Sequence, residues 1–211
     1  MIILIGNQKG GAGKSTLSML LANYLSLTRK REITIMDMDY QQSLYAKAEK
    51  SKILENEALY EVVATSLAHF PSIRDLLTRD KSRIILVDLP GKLDDDGLME
   101  VFKSADIVLT PFAYDEFTME STLIFAMVLK KVNPTIPIVF VPNRIKTNVK
   151  YETKEEIHKV LGRFGSITEP ITERIDFQRV NFFHIPVSIV GVIVPIFDAI
   201  YEQYLMREED V

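Results

Sequence analysis

The chain has 211 residues, with 25 lysines and arginines against 29 aspartates and glutamates, 47% apolar residues and no cysteine. This size and apolar content are typical of one globular domain, so we interpret residues 1–211 as a single domain whose core needs no disulfide or metal. Without cysteine, the chain cannot hold an iron–sulfur cluster or a cysteine-type zinc site, and it has no thiolate nucleophile.

The net charge is −4, and the acids of residues 198–211 account for it. The rest of the chain is neutral, so bulk electrostatics give no reason to expect nucleic-acid binding, which would have to come from a local patch. The first residues run directly into an apolar segment with no basic targeting region before it. We therefore expect a cytoplasmic protein.

Five short apolar runs rich in β-branched residues predict buried strands. Because these runs are continuous rather than alternating, we expect helices to cover both faces of a parallel sheet. The runs cover residues 2–5, 33–36, 84–87, 107–109 and 138–141.

Helical patterns lie between these runs. Leucines with helical spacing predict a helix around residues 17–25, and Asp115 is expected to cap a helix over residues 116–131 that stops before Asn133-Pro134. Two more helices are predicted at residues 151–161 and 196–206, while residues 41–79 read as helical with a poor pattern. Residues 185–197 are uncharged, and we expect them to form a buried strand, a turn and a helix start, too short to span a bilayer.

This alternation of strands and helices predicts an α/β fold: one doubly wound, mostly parallel sheet with helices on both faces. In such folds, ligands bind at the carboxyl ends of the strands.

Four of the nine glycines, Gly6, Gly10, Gly11 and Gly13, lie between the first predicted strand and the first predicted helix. Glycine-rich turns allow backbone N–H groups to converge on phosphate oxygens, and the N-terminus of the following helix adds partial positive charge. Lys14 is expected to reach the β- and γ-phosphates, and the Ser15 hydroxyl to bind Mg²⁺. The predicted phosphate-binding residues are Gly10, Gly11, Ala12, Gly13, Lys14, Ser15 and Thr16.

The ordinary P-loop pattern requires glycine six residues before Lys14, where this chain has Gln8. A second lysine, Lys9, instead opens the sequence Lys-Gly-Gly-Ala-Gly-Lys-Ser-Thr over residues 9–16. This segment resembles the deviant Walker A motif, KGGxGK[ST], of the ParA/MinD family of P-loop ATPases. The resemblance implies a P-loop NTPase fold that uses ATP and Mg²⁺.

Two acidic segments extend the resemblance. Residues 37–43, Asp-Met-Asp-Tyr-Gln-Gln-Ser, are similar to the family's DxDPQxS segment, with Tyr40 in place of proline, so the φ torsion at this position is not fixed. The apolar run ending in Asp88 is similar to the family's Walker B strand. The resemblance implies that Asp88 holds Mg²⁺ through water, that Asp39 orients the attacking water and that Asp37 supports the magnesium shell, although the roles of Asp37 and Asp39 are interchangeable at this stage.

Pro142-Asn143-Arg144 resembles the family element whose asparagine recognises adenine, and a side-chain amide can donate to and accept from the adenine edge at once. The resemblance also implies that two ATP-loaded subunits form a sandwich, with Lys9 of each reaching the partner's phosphates as a catalytic cation beside Lys14. Hydrolysis then loosens the dimer. The adjacent Asp94, Asp95 and Asp96 are expected to be a solvated helix start rather than a metal site.

The resemblance leaves three functions open. The leading hypothesis is a short ParA-type ATPase without an N-terminal helix-turn-helix, which binds DNA non-specifically as an ATP-dependent homodimer, associates with the nucleoid and segregates DNA with a ParB-like, centromere-binding stimulator. Eight basic residues in the C-terminal half favour DNA contact, although six acids interrupt them: Arg144, Lys146, Lys150, Lys154, Lys159, Arg163, Arg174 and Arg179.

The first alternative is a MinD-like membrane or cargo-positioning ATPase. The acidic tail at residues 208–210 disfavours it, because anionic lipid would repel those carboxylates. The second alternative is a metabolic P-loop ligase or synthetase, which would transfer phosphate to a small molecule.

Overall fold

The computed structural model of the chain describes residues 1–52, 58–92 and 96–206. Within these residues seven strands form one sheet: β1 (Ile2–Ile5), β2 (Ile33–Asp37), β3 (Glu61–Ala64), β4 (Ile84–Asp88), β5 (Ile107–Phe112), β6 (Ile138–Pro142) and β7 (Ser166–Ile167). The strand order is β3-β2-β4-β1-β5-β6-β7, and every pair is parallel. The predicted parallel α/β sheet is confirmed.

Helices cover both faces of this sheet. They are α1 (Lys14–Leu27), α2 (Ser43–Lys52), α3 (Phe70–Leu77), α4 (Leu98–Ser104), α5 (Glu116–Val132), α6 (Lys154–Leu161) and α7 (Val187–Ile200), with a 3₁₀ helix at Ile175–Arg179 and a π-helical turn at Tyr201–Leu205. Residues of α1, α2 and α7 share one apolar core, and residues of α3 to α6 share the other. Ile3 and Ile5 of β1 lie in the first core, while Ile2 and Leu4 lie in the second.

Because all strands are parallel, their carboxyl ends meet at one edge of the sheet. The loops after β1, β2, β4 and β6 therefore come together there, although they are far apart in the sequence. The predicted start of α5 is also confirmed: the Asp115 carboxylate accepts a 2.9 Å hydrogen bond from the backbone N–H of Thr118.

Several predicted boundaries are wrong. Residues 41–79 contain the strand β3 between α2 and α3, and β7 was not predicted at all. The helix predicted at 151–161 begins at Lys154. Residues 185–197 form no strand: a helix begins at Val187 and continues through Pro195, so the helix predicted at 196–206 is only its end. Asp94, Asp95 and the acidic tail lie outside the described residues.

Because α7 continues into the π-helical turn, the apolar helical run is longer than the sequence predicted. Among the described residues, one helical run, Val187–Leu205, is long and apolar enough to cross a bilayer by length and composition alone. Its inner side, which includes Ile189, Ile193 and Phe197, is buried in the core shared with α1. A long apolar helix packed in a protein core meets the same criteria of length and composition, so this run alone is weak evidence for a membrane-spanning segment.

Candidate nucleotide site

A cavity of about 780 Å³ opens at the carboxyl ends of the strands, where β1 leads into α1. This volume lies within the range of small-molecule sites, and polar groups converge on it. Predicted site residues that line it are Gly10, Gly11, Gly13, Lys14, Ser15, Thr16, Asp39 and Asn143. Lys9, Ala12, Asp37 and Asp88 are not among the lining residues.

The loop from Asn7 to Gly13 is a tight glycine turn. Gly11 has a φ of 77° and Gly13 a φ of 90°, values that only glycine adopts without strain. A Cβ atom at Gly13 would lie 2.3 Å from Asn143 Nδ2. Gly13 is thus required both by its torsion and by the close approach of the loop after β6.

The N-terminus of α1 points at the cavity. Its first turn contains no acidic side chain and its cap residue, Gly13, has no side chain, so no carboxylate of this turn neutralises the partial positive charge of the helix end. Lys14 is buried there, and its Nζ donates to the carbonyl oxygen of Lys9 at 3.4 Å. Burial lowers the pKa of Lys14, and the charges of Asp88 and Asp39 oppose that shift.

Asp88 lies beneath the first turn of α1 and is 1% exposed. The Ser15 hydroxyl donates to Asp88 Oδ2 at 2.7 Å. Ser18, which the sequence did not single out, places its Oγ 3.1 Å from Asp88 Oδ1 and 3.0 Å from the carbonyl oxygen of Lys14. Burial raises the pKa of Asp88 to about 7, because the two serine hydroxyls only partly replace the lost water.

Asp37 and Asp39 occupy different environments. Asp37 is fully buried, and its two carboxylate oxygens accept hydrogen bonds from the backbone N–H groups of Asp39 (3.2 Å) and Tyr45 (2.9 Å). Burial raises its pKa. Asp39 lines the cavity and accepts a 3.0 Å hydrogen bond from the Gln41 N–H. Asp37 therefore holds the loop after β2, while Asp39 faces the ligand space.

Lys9 does not line the cavity of its own chain. Its side chain is exposed, and Nζ lies 5.9 Å from the centre of the Phe117 ring, within the range of a cation–π contact. Its backbone N–H donates to Asn7 Oδ1 at 3.1 Å, and the Asn7 amide in turn donates to Pro111 O and Thr122 Oγ1. This buried asparagine, which sequence reasoning missed, fixes the start of the loop.

Asn143 joins the loop after β6 to the glycine turn. Its Nδ2 donates to the carbonyl oxygen of Ala12 at 2.9 Å, and its Oδ1 accepts from the Arg144 N–H at 2.9 Å. The Arg144 side chain donates to the carbonyl oxygen of Gly11 at 3.0 Å. One hydrogen of the Asn143 amide and one lone pair of its oxygen are left for other partners.

Sequence reasoning missed the far wall of the cavity. It consists of residues from the loop after β7 and from the 3₁₀ helix: Ile171, Glu173, Arg174, Ile175, Phe177 and Gln178. The amine of Lys47, on α2, anchors the chain just beyond it by donating to the carbonyl oxygen of Val180 at 2.6 Å. β7 has only two residues, so no apolar run in the sequence marks the segment that follows it.

A model of the CobQ/CobB/MinD/ParA nucleotide-binding domain matches residues 3–187, which is most of the chain. The chain belongs to this family. The matched range includes the glycine turn, Asp88 and Asn143. The resemblance to ParA and MinD proteins is therefore confirmed.

Solved structures share the fold. A plasmid partition protein of Borrelia burgdorferi B31 bound to AMPPNP is 23% identical and superposes with a TM-score of 0.71 over 96% of this chain and 98% of that one. The cell-division protein MinD of Aquifex aeolicus gives 17% identity and a TM-score of 0.72 over 96% and 97% of the two chains. A Cyanothece McdA variant in complex with ATP is 15% identical and superposes with a TM-score of 0.74 over 98% of this chain and 97% of that one.

One curated relative, Protein ParA of Rhizobium radiobacter, is 29% identical over 111 residues. The match covers 52% of this chain and 47% of that protein, so it spans about half the length of the relative.

Proposed function

We propose that the chain is a ParA-type, Mg²⁺-dependent ATPase that forms an ATP-dependent sandwich homodimer and drives DNA segregation with a ParB-like partner. One observation carries this proposal: of the two lysines of the glycine turn, Lys14 lines the cavity and Lys9 lies outside it. A lysine that does not face its own ligand space is free to reach the nucleotide of a second subunit.

The phosphate roles follow from the positions of the donors. The backbone from Gly10 to Thr16 surrounds the triphosphate at the N-terminus of α1, where Lys14 adds a full positive charge. Burial strengthens the interaction of Lys14 with a phosphate, because little water screens it. The AMPPNP and ATP complexes of structural relatives support nucleotide binding in this cavity.

The oxygen groups beneath the phosphate site fit Mg²⁺. Ser15 Oγ and Asp88 Oδ2 are 2.7 Å apart, and Asp37 lies on the neighbouring strand, paired in register with Asp88. Among the described residues, no group of three or more histidine, aspartate or glutamate side chains could hold a metal alone. That agrees with Mg²⁺, which takes few protein ligands and completes its shell with phosphate oxygens and water. Bound there, the ion would neutralise developing phosphate charge.

The different environments of Asp37 and Asp39 support different roles for the two carboxylates. We assign Asp39, which faces the cavity, to orienting the attacking water, and Asp37, which is buried and bound to backbone, to supporting the magnesium shell. The water oxygen attacks the γ-phosphorus as the bond to the β–γ bridging oxygen breaks, releasing ADP and phosphate. Lys9 of the second subunit stabilises the charge that develops, a contribution worth roughly 10³ to 10⁵ in rate for a comparable arginine finger.

Asn143 is proposed to contact adenine through the amide hydrogen and the lone pair that Ala12 and Arg144 leave available. Its bond to the glycine turn then gives it a second function, because one side chain links the base to the phosphate loop.

DNA and protein partners are proposed from the relatives and from charge. Plasmid partition proteins are among the structural neighbours, and MinD of Aquifex aeolicus has been solved in complex with MinC. The side chains of Lys146, Lys150, Lys154 and Arg163 are exposed, although Glu152, Glu155 and Glu156 are exposed between them, and we assign non-specific DNA contact to these basic residues. Such binding must weaken steeply with added salt.

The test compares wild type with Lys9→Ala and with the exposed control Lys103→Ala on α4. Sedimentation with a nonhydrolysable ATP analogue and ATP turnover with and without duplex DNA are measured. We expect ATP to increase the association of wild type and of Lys103→Ala, which both hydrolyse ATP. We expect Lys9→Ala to bind nucleotide without this ATP-dependent association and to turn over at least about 10³-fold more slowly. A Lys9→Ala variant with full ATP-dependent association and full turnover would overturn the sandwich.

A second candidate is a membrane-cycling ATPase of the MinD type, favoured by the exposed apolar residues Val187 and Val190 on the outer side of α7. Flotation with anionic vesicles that requires ATP and is lost in Val190→Glu would favour this candidate over DNA segregation. Turnover that depends on a small metabolite rather than DNA would instead favour a ligase or synthetase.

A further inference from the structure

The outer side of α5 is unusually apolar for a helix that faces solvent. Four large side chains are exposed there: Phe117 (72%), Ile124 (44%), Met127 (55%) and Val128 (39%). The opposite side already packs into the core through Thr118, Thr122, Phe125, Ala126 and Leu129. A helix that covers a sheet normally presents polar residues to solvent, and a contiguous exposed apolar stripe is typical of an interaction surface.

Charged residues mark the two ends of this stripe with opposite signs. Glu116 and Glu120 lie in the first turns of α5, and Lys131 lies in its last turn. All three are exposed, and none of them forms an ion pair with another described residue. The stripe is therefore acidic at one end, apolar in the middle and basic at the other end.

We propose that this stripe, the α5 outer face (Phe117, Glu120, Ile124, Met127, Val128 and Lys131), is a self-association surface that pairs antiparallel with α5 of a second copy. A two-fold axis near Ile124 places Lys131 of each copy opposite Phe117 of the other and within one turn of Glu120. Acid then meets base at both ends, and the apolar residues meet at the centre. A parallel pair would instead bring like charges together, so the charge pattern favours the antiparallel pair, which a two-fold axis perpendicular to the helices generates.

Apart from Phe117, whose ring lies 5.9 Å from Lys9 Nζ, this surface lies away from the residues of the proposed ATP sandwich. α5 starts at the carboxyl end of β5, beside the cavity, and runs back along the flank of the sheet. The sandwich needs the cavity edge, whereas the pairing needs the flank, so the second contact is expected without nucleotide. A chain that uses both surfaces assembles beyond a dimer when ATP is present.

The first test is sedimentation of the nucleotide-free protein over a concentration series. We expect reversible dimerisation of wild type, and at least about tenfold weaker association for Ile124→Glu and for Met127→Glu, because each puts two carboxylates at the buried centre. Leu76→Glu on α3, where Leu76 is 60% exposed, is the matched control and should associate like wild type. Phe117 is left unchanged because it contacts Lys9.

Absence of a wild-type dimer over the series, or equal association of wild type and Ile124→Glu, would overturn the proposal and leave the stripe to a different partner. Lys9→Ala should keep this nucleotide-free association. Failure of the sandwich and failure of the α5 pair are therefore distinguishable.

The second test uses the absence of native cysteine. Ile124→Cys lies near the two-fold axis and should form a disulfide-linked dimer under mild oxidation. Two copies of Lys131→Cys would lie roughly 21 Å apart along an antiparallel pair, since 14 residues of helix separate positions 117 and 131, and should not link. Equal linkage of the two variants would refute the antiparallel arrangement, and Leu76→Cys reports random collision.

Discussion

The side-chain amide of Asn143 donates a 2.9 Å hydrogen bond to the carbonyl oxygen of Ala12, so the end of β6 holds the glycine turn that follows β1. The two residues are 131 positions apart, and Ala12 lies between the two glycines with positive φ. This bond holds the glycine turn from outside it.

Removing this bond should loosen the loop more than it destabilises the fold. We expect Asn143→Ala to reduce the free energy of unfolding by about 1 kcal/mol, as for one hydrogen bond, and to weaken ATP binding about tenfold or more. Titration with a fluorescent ATP analogue and urea unfolding measure the two effects. Asn133→Ala, at the far end of α5, should leave nucleotide affinity unchanged; equal losses in both variants would contradict a specific role for Asn143.

Gly13 should tolerate no side chain. Gly13→Ala brings a Cβ to 2.3 Å from Asn143 Nδ2 and places alanine at a φ of 90°, so we expect a loss of stability of about 1–3 kcal/mol and loss of ATP binding. Gly10→Ala is the control, because nothing lies within 4 Å of its Cβ position.

The double variant Gly13→Ala with Asn143→Ala removes the clash but keeps the torsional strain. It should therefore remain less stable than Asn143→Ala alone, as measured by urea unfolding. Full recovery in the double variant would show that the clash is the whole effect.

Asp88 should make the stability of the nucleotide-free protein depend on pH. Its pKa in the folded protein is about 7, above the ordinary value of 3.8, so the unfolded state ionises first and wild type loses stability as pH rises from about 4 to about 7. Asp88→Asn removes this loss. We expect the variant to be about 4 kcal/mol more stable than wild type at pH 8 and equal to it near pH 4.

Urea unfolding of both proteins across this range, without Mg²⁺ or nucleotide, gives the difference directly, because other groups cancel between them. A difference that is the same at pH 4 and pH 8 would rule out ionisation of Asp88 as its cause.

Lys14 should destabilise the nucleotide-free protein while it contributes to ATP binding. Burial lowers the pKa of Lys14, so its buried charge reduces the stability of the nucleotide-free protein at neutral pH. This destabilisation disappears as pH rises towards 10.5, because the amine is then neutral in both the folded and the unfolded state. We expect Lys14→Met to melt a few degrees higher than wild type at pH 7 without nucleotide, and to lose ATP-dependent stabilisation. Thermal unfolding with and without Mg·ATP measures both effects; a variant that ATP stabilises like wild type would contradict a phosphate-binding role.

Continuous apolar runs predicted the five central strands, and all five are present, most of them one to three residues longer than predicted. The edge strands were missed for physical reasons. β3 has only four residues and begins with Glu61, and β7 has two residues, so neither has the buried apolar run of a central strand. Helix α7 was predicted in part as a strand because valine and isoleucine favour strands; packing against the sheet overrides that preference.

Some residues of the candidate site were likewise predicted from the sequence, and others were missed. The glycine turn, Asp88 and Asn143 were found because each follows a recognisable strand. Ser18 and Asn7 were not, since a serine inside a helix and an asparagine after a strand have many ordinary uses. Only the distances to Asp88 and to the Lys9 N–H separate them from other polar residues. The roles of all these residues stay predictions until the variants are measured.

The long sequence separation between Ala12 and Asn143 also bears on how the protein is made. During translation the glycine turn is made before the side chain that holds it, because Asn143 is added 131 residues after Ala12. An emerging chain therefore carries the complete motif well before it has a formed pocket. We therefore expect the tightest nucleotide binding only after the sheet is complete through β6.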